Sequence, residues 1–152
     1  MGIQRVRFEL DTPASAEALW EVLEDYRTWS SWGPWQTSDV ERPGDDLPAG
    51  VGAIRRLTIG RRVLREETTR FEPTREMRYR VLEGIPVRDY EGVVTLEPTD
   101  VGTRVTWSST FRGQPTILGP VVRRSLQAQF PGIVGAFAAA AEARHPRSDA
   151  AR

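Results

Sequence analysis

The stretch TILGPVVRRSLQAQFPGIVGAFAAAAEA, residues 116–143, decides the fold, because apolar side chains recur in it at Leu118, Val122, Leu126, Phe130, Ile133, Phe137 and Ala141. Steps of three and four residues draw one stripe down a long helix, and a stripe of that length has to be covered by other structure. Arg123 and Arg124 fall on the opposite side, and Ser125 and Gln129 sit at the margin. The stripe itself holds no titratable group, so the helix supplies a wall and leaves chemistry to whatever faces it. Pro131 interrupts the stripe, where proline removes a helical hydrogen bond and bends the axis. Room beside Phe130 is the expectation.

The cover reads as strand. Residues 51–59, 61–71, 76–82, 88–96 and 103–111 are runs with strand character, separated by Gly60, Pro73-Thr74, Gly84-Ile85-Pro86 and the turn from Pro98 to Gly102. Separators this short suit antiparallel hairpins. Upstream, residues 4–10 alternate Val6, Phe8 and Leu10 against Arg5, Arg7 and Glu9, the period of a half-buried strand. A helix follows, capped by Thr12 ahead of Pro13 or equally by Ser15, with Leu19, Val22, Leu23 and Tyr26 on one face and Glu17, Glu21 and Glu24 opposed. A second short helix breaks at Gly33-Pro34 and carries Trp29, Trp32 and Trp35, three of the five tryptophans. Trp29 and Trp35 read as core, and Trp32 stands between core and the mouth of a ligand site. Residues 37–50 are polar and turn-rich and read as an exposed connection. The fold class is therefore α+β: a curved antiparallel sheet of six or seven strands around a long C-terminal helix, with two short helices after the first strand. Residues 1–143 form a single domain, and 144–152, which include the lone histidine His145, form a disordered tail.

Composition excludes several kinds of chemistry. The chain of 152 residues has 21 basic and 21 acidic residues, every basic one an arginine, and a formal net charge of zero. A global field drawing in nucleic acid or an anionic membrane is not indicated. The absence of cysteine removes disulfides, thiolate nucleophiles and thiolate metal sites, and a single histidine leaves no imidazole metal cluster. No apolar run approaches a membrane span or a signal peptide, so a cytoplasmic location is expected.

Strand parity sorts the inner face, where chemistry has to sit. Val105, Trp107, Ser109 and Phe111 point inward from the last strand, and Met77, Tyr79 and Val81 from the third run. In the fourth run Tyr90, Gly92, Val94 and Leu96 share a face, which carries Arg88 inward as well and leaves a hole at Gly92. The first two runs are less clean: Ala53, Leu57 and Ile59 bring Arg55 inward, while Leu64 and Thr68 bring Glu66. A buried arginine and a buried carboxylate are each costly alone and tolerable as a hydrogen-bonded pair. Arg55 and Glu66, with Arg88, Tyr90 and Tyr79 nearby, form the polar constellation, read either as a structural ion pair or as a ligand-binding or catalytic group. The arginines between Arg55 and Arg80 read as a solvated sheet face matched by Glu66, Glu67, Glu72 and Glu76, or alternatively as a surface for RNA or an acidic partner.

The order of these elements, together with ALWEVLED at 18–25, Trp32-Gly33-Pro34, VGAIR at 51–55, Glu66-Glu67 ahead of Phe71-Glu72-Pro73, GIPVRDYEG at 84–92 and GTRVTW at 102–107, resembles the SRPBCC or START-like, birch-pollen-allergen-like superfamily. Within it the chain resembles bacterial polyketide cyclase/dehydrase-like members, over about residues 3–143. The resemblance implies a helix-grip fold and a cavity between sheet and last helix for a hydrophobic or amphipathic small molecule, with no cofactor, metal or nucleic-acid partner, in a monomer or homodimer. Cavity candidates are Trp32, Arg55, Glu66, Met77, Tyr79, Arg88, Tyr90, Trp107, Phe111, Leu126, Phe130 and Ile133. Three functions are compatible with it: a binder or carrier without catalysis, a cyclase or dehydratase of a polyketide-like chain, and a protein-interaction module using the arginine-rich face or the tryptophan rim. In the enzyme reading Tyr90 or Glu66 moves the proton and Arg55 or Arg88 steadies the enolate. Pairing with Arg55 is expected to lower the Glu66 pKa and so to weaken it as a base.

Overall fold

Alternation of apolar and charged residues in Gln4–Thr12 forms β1, the first element of a computed structural model that describes residues 2–144. Ser15 rather than Thr12 caps the helix that follows, α1 (Ala16–Glu24), its side-chain oxygen accepting from the Ala18 N–H at 3.1 Å. Thr12 is used differently: its hydroxyl accepts from the Ala14 N–H and donates to Glu142 Oε1 at 2.8 Å, tying the first strand to the last helix. The helix buries Ala18, Leu19, Trp20, Val22 and Leu23. A 3-10 helix, Tyr26–Ser31, continues it and buries Tyr26 and Trp29.

The stretch read as an exposed connection contains a strand, β2 (Thr37–Arg42), at the sheet edge. Its sequence is polar because one side has no neighbour and most of its side chains stand in solvent, so the apolar alternation of an inner strand is missing. β3 is shorter than expected, Ile54–Ile59, because residues 51–53 form the turn before it, with Gly52 at φ 91°. Then come β4 (Arg62–Glu72), β5 (Glu76–Glu83), β6 (Val87–Thr99) and β7 (Gly102–Gly113). All neighbouring strands are antiparallel, in the order β1-β7-β6-β5-β4-β3-β2.

Two irregularities change which side chains face inward. The register shifts in β4 between Thr68 and Arg70, so that Phe71 joins the inner face opposite Met77 and packs on Trp20, ring centroids 5.0 Å apart. A second shift lies between Arg88 and Glu91 of β6, where Asp89 takes φ 55°. The extra residue turns Arg88 out of the inner face: it pairs with the outward Arg112 and is exposed, whereas Tyr90 beyond the bulge is buried. The expectation that Arg88 points into the cavity is thereby corrected.

The last helix, α2 (Gly119–Arg144), follows a 3-10 turn at Thr116–Leu118 and runs through Pro131 without interruption. Val122, Phe130, Phe137 and Ala141 of the stripe are buried, joined by Val134 and Ala138, while Leu126 and Ile133 stay half-buried. The helix packs mainly on β1, β7 and α1. That leaves a gap between its N-terminal half and the concave side of β4, β5 and β6. Of the tail expected at 144–152, Arg144 is helical, and residues 145–152, with His145, lie outside the described residues. Among the described residues no helix is long and apolar enough to cross a membrane.

Candidate functional site

The gap is a cavity of about 300 Å³, at the small end of the range for small-molecule sites. Its floor is built by the sheet: Glu66 from β4, Tyr79 from β5, Tyr90 from β6 and Trp107 from β7. Val122, Leu126, Phe130 and Ile133 of α2 form the facing wall. Trp29 and Trp35 close one side, and Ile59, Arg62, Ile85, Pro86 and Val121 surround the opening. Phe130 is among the residues of the facing wall.

Of the other residues picked from sequence, four stand behind or beside this surface. Met77 and Phe111 are buried beneath it, Phe111 stacked on Tyr90 with centroids 5.6 Å apart. Arg55 is completely buried behind Glu66. Trp32 packs on Phe137, centroids 5.6 Å apart, and borders a separate shallow groove along α2. Trp29 and Trp35, read as plain core, are core and wall at once. Their signal was present: a 3-10 helix has three residues per turn, so Trp29 and Trp32 share a face and carry the aromatic row toward Trp35. The loop residues Ile85 and Pro86 and the helix residues Val121 and Ser125 were not separable from ordinary surface by periodicity alone.

The chemistry of the floor centres on Arg55 and Glu66. Residue 55 of β3 lies directly across from residue 66 of β4, and Arg55 Nε donates to Glu66 Oε1 at 2.8 Å. Arg55 Nη1 donates to Thr68 Oγ1 at 3.4 Å, and Nη2 has no hydrogen-bond partner. Aromatic faces compensate: the guanidinium carbon lies 5.0 Å from the Tyr26 ring centroid and 4.6 Å from those of Trp29 and Tyr79, a cation–π cage around a desolvated charge. Tyr26 is held in place by donating to the Ala49 carbonyl at 2.5 Å. Burial pushes the Glu66 carboxyl above the ordinary carboxylate range, with Arg55 opposing. The pair therefore does not lower that pKa as expected, because desolvation outweighs the neighbouring charge.

A second polar chain runs across the floor. Trp107 Nε1 donates to the Tyr79 hydroxyl at 2.9 Å, and the Tyr90 hydroxyl bonds Ser109 Oγ at 2.6 Å. An indole N–H only donates, so the Tyr79 oxygen is the acceptor there, and the Tyr79 hydroxyl also interacts with that of Tyr90. Burial pushes Tyr79 up to about 12, reinforced by the charge of Glu66. Burial also raises Tyr90 well above its ordinary value, and Tyr79 beside it adds to the effect. The floor thus offers one carboxyl acceptor and neutral phenol donors inside apolar walls. Outside, the arginines of the sheet face are largely matched across strands, as in Arg65 with Glu41 at 2.6 Å and Arg70 with Glu76 at 3.0 Å.

Comparison with solved structures gives the same fold throughout. The Zhui aromatase/cyclase from Streptomyces sp. R1128 superposes with a TM-score of 0.79 at 17% identity, covering 97% of this chain and 98% of that one. A START superfamily protein from Mycobacterium smegmatis gives 0.77 at 14% identity, covering 91% and 97%. Norcoclaurine synthase from Thalictrum flavum, solved with dopamine and hydroxybenzaldehyde, gives 0.74 at 16% identity, covering 96% and 90%. Compared by sequence, no protein of curated function matches. A family model described as polyketide cyclase / dehydrase and lipid transport matches residues 4–144.

Proposed function

Because the chain belongs to the polyketide cyclase / dehydrase and lipid transport family, we propose that it binds a hydrophobic or amphipathic small molecule between the sheet and α2. One observation carries this reading: a cavity of about 300 Å³ with tryptophan, tyrosine and aliphatic walls and a single carboxyl, Glu66, on its floor. Apolar walls supply affinity in proportion to the area they desolvate. The few polar groups orient the ligand, Glu66 accepting from a hydroxyl or amine and Tyr79 donating to a carbonyl. Arg55 serves from behind, fixing the carboxylate. Native mass spectrometry of the purified protein tests the reading. A retained small molecule, or one-to-one uptake of anilinonaphthalene sulfonate, is expected; a protein that takes up neither overturns it.

A second reading, ring closure of a poly-β-keto chain, is favoured by the same floor, where a carboxyl of raised pKa and a neutral phenol face one space. Glu66 would take an α-proton, the electron pair moving onto the carbonyl oxygen as Tyr79 donates to it. The enol carbon then attacks a second carbonyl of the chain, whose oxygen takes the proton held by Glu66 while the first oxygen returns its proton to Tyr79 as its carbonyl re-forms, and loss of the remaining α-proton with the new hydroxyl releases water. Loss of cyclisation of a poly-β-ketone in Glu66→Gln, with probe uptake intact, supports this version. Equal rates in Glu66→Gln and the parent protein sink it.

A further inference from the structure

A zero net charge conceals a separation of charge along the sheet. The exposed lining of the cavity comes largely from the end formed by the β3–β4 turn, the β5–β6 loop and the start of α2, where β7 also finishes. That end holds Arg61, Arg62, Arg88, Arg112, Arg123 and Arg124 against Glu83, which is paired with Arg65 at 3.6 Å, and Asp89. None of these six arginines makes an ion pair among the described residues, in contrast to the paired arginines of the sheet face. The opposite end holds Asp11, Glu72, Glu97 and Asp100 along with Arg75 and Arg104. Among the aliphatic side chains that stand out of the arginine-rich end are Ile59 at 44% exposure, Val121 at 63% and Ile117 at 79%. Ile59 and Val121 flank the cavity opening together with Arg62.

We propose that this open end docks on an anionic lipid surface, with Ile117, Val121 and Ile59 in the boundary between headgroups and acyl chains and the arginines on the phosphates. Unpaired guanidinium groups around protruding aliphatic tips are what such a surface selects, charge drawing the protein in and apolar area holding it. Arginine suits the role because its planar fork takes phosphate oxygens in pairs. A single-stranded nucleic acid is a poorer match, since the exposed large apolar side chains among the described residues are all aliphatic and offer no ring for a base to stack on. Docking rests on this surface alone. Passage of a ligand between bilayer and cavity rests in addition on the reading given above, so the experiment uses vesicles that carry no added ligand.

Co-sedimentation with vesicles of phosphatidylcholine, alone or mixed with phosphatidylglycerol, tests the docking. Binding is expected to the mixed vesicles only, weakening as salt is raised. Each arginine lost should weaken it about fivefold, so Arg61→Glu with Arg62→Glu should reduce it more than tenfold, and Ile117→Asp with Val121→Asp should abolish it. Circular dichroism confirms that both variants remain folded. Equal binding to the two kinds of vesicle, no binding to either, or binding unchanged in both variants overturns the proposal. Salt-dependent retention on polyglutamate without vesicle binding would instead assign the patch to an acidic protein. Self-association abolished by the Ile117 and Val121 changes would assign it to a second copy of this chain.

Discussion

Gly92 lies directly across from Tyr79 in the sheet, and the Tyr79 ring occupies the place where a β-carbon at 92 would be. The missing side chain lets the ring lie flat on the sheet, in reach of Trp107 Nε1 at 2.9 Å. Gly92→Ala is therefore expected to lift the ring into the cavity and break that hydrogen bond, at a cost of about 1–3 kcal/mol. Chemical denaturation measures the cost, and loss of probe uptake reports the filled cavity. Adding Tyr79→Ala removes the clash, so the double variant should be more stable than the sum of the two single effects. Simple additivity would refute the arrangement.

All three tyrosines of the chain, Tyr26, Tyr79 and Tyr90, belong to this site, and burial raises the pKa of each, Tyr79 to about 12. In the unfolded chain they ionise near the ordinary value of 10.0. Above that pH the unfolded state sheds protons that the folded state keeps, so stability present below it is lost as pH rises toward the folded values. The loss approaches about 1.4 kcal/mol per pH unit for each tyrosine. Spectrophotometric titration should show no tyrosinate near pH 10 in the native protein, followed by ionisation coupled to unfolding at higher pH. A native titration centred near 10 would contradict the burial.

Removing one partner of the Arg55–Glu66 pair strands the other charge. Arg55→Leu leaves a buried carboxylate without its cation and is expected to cost about 3–5 kcal/mol. Arg55→Leu combined with Glu66→Leu should recover much of that loss, because two apolar side chains need no compensation. Urea unfolding of the parent, both single variants and the double variant closes the cycle. A double variant as unstable as the sum of the singles would mean that the pair is not coupled as its 2.8 Å contact implies.

Much of this arrangement was legible in the sequence because its signals are periodic. The stripe from Val122 to Ala141 and the inward row Val105, Trp107, Ser109 and Phe111 follow from spacing alone, and the same parity brought Arg55 and Glu66 together. What failed was whatever breaks a period. The bulge at Asp89 adds one residue and turns Arg88 outward, and an edge strand such as β2 lacks the apolar alternation by which strands are recognised. The raised Glu66 pKa was missed for a different reason: composition shows the neighbouring cation, whereas the opposing desolvation depends on burial at a depth that only packing reveals. Equal totals of arginine and acid likewise gave no hint that the unpaired arginines gather at one end.

If the cavity is the binding site, filling it and changing its surroundings should have opposite consequences. Leu126 is half-buried on the wall facing Glu66 and Tyr90, so Leu126→Trp extends a ring into space already present. Little stability should be lost, since the added volume meets a void rather than packed atoms, and probe uptake should fall at least tenfold. Arg88→Ala is the control: its exposed side chain lies outside the inner face, so uptake should stay within about twofold of the parent, inside the small energies expected of surface substitutions. Calorimetric titration with anilinonaphthalene sulfonate separates the two. Uptake that survives Leu126→Trp but is lost in Arg88→Ala would move the binding site out of the cavity and onto the surface of the sheet.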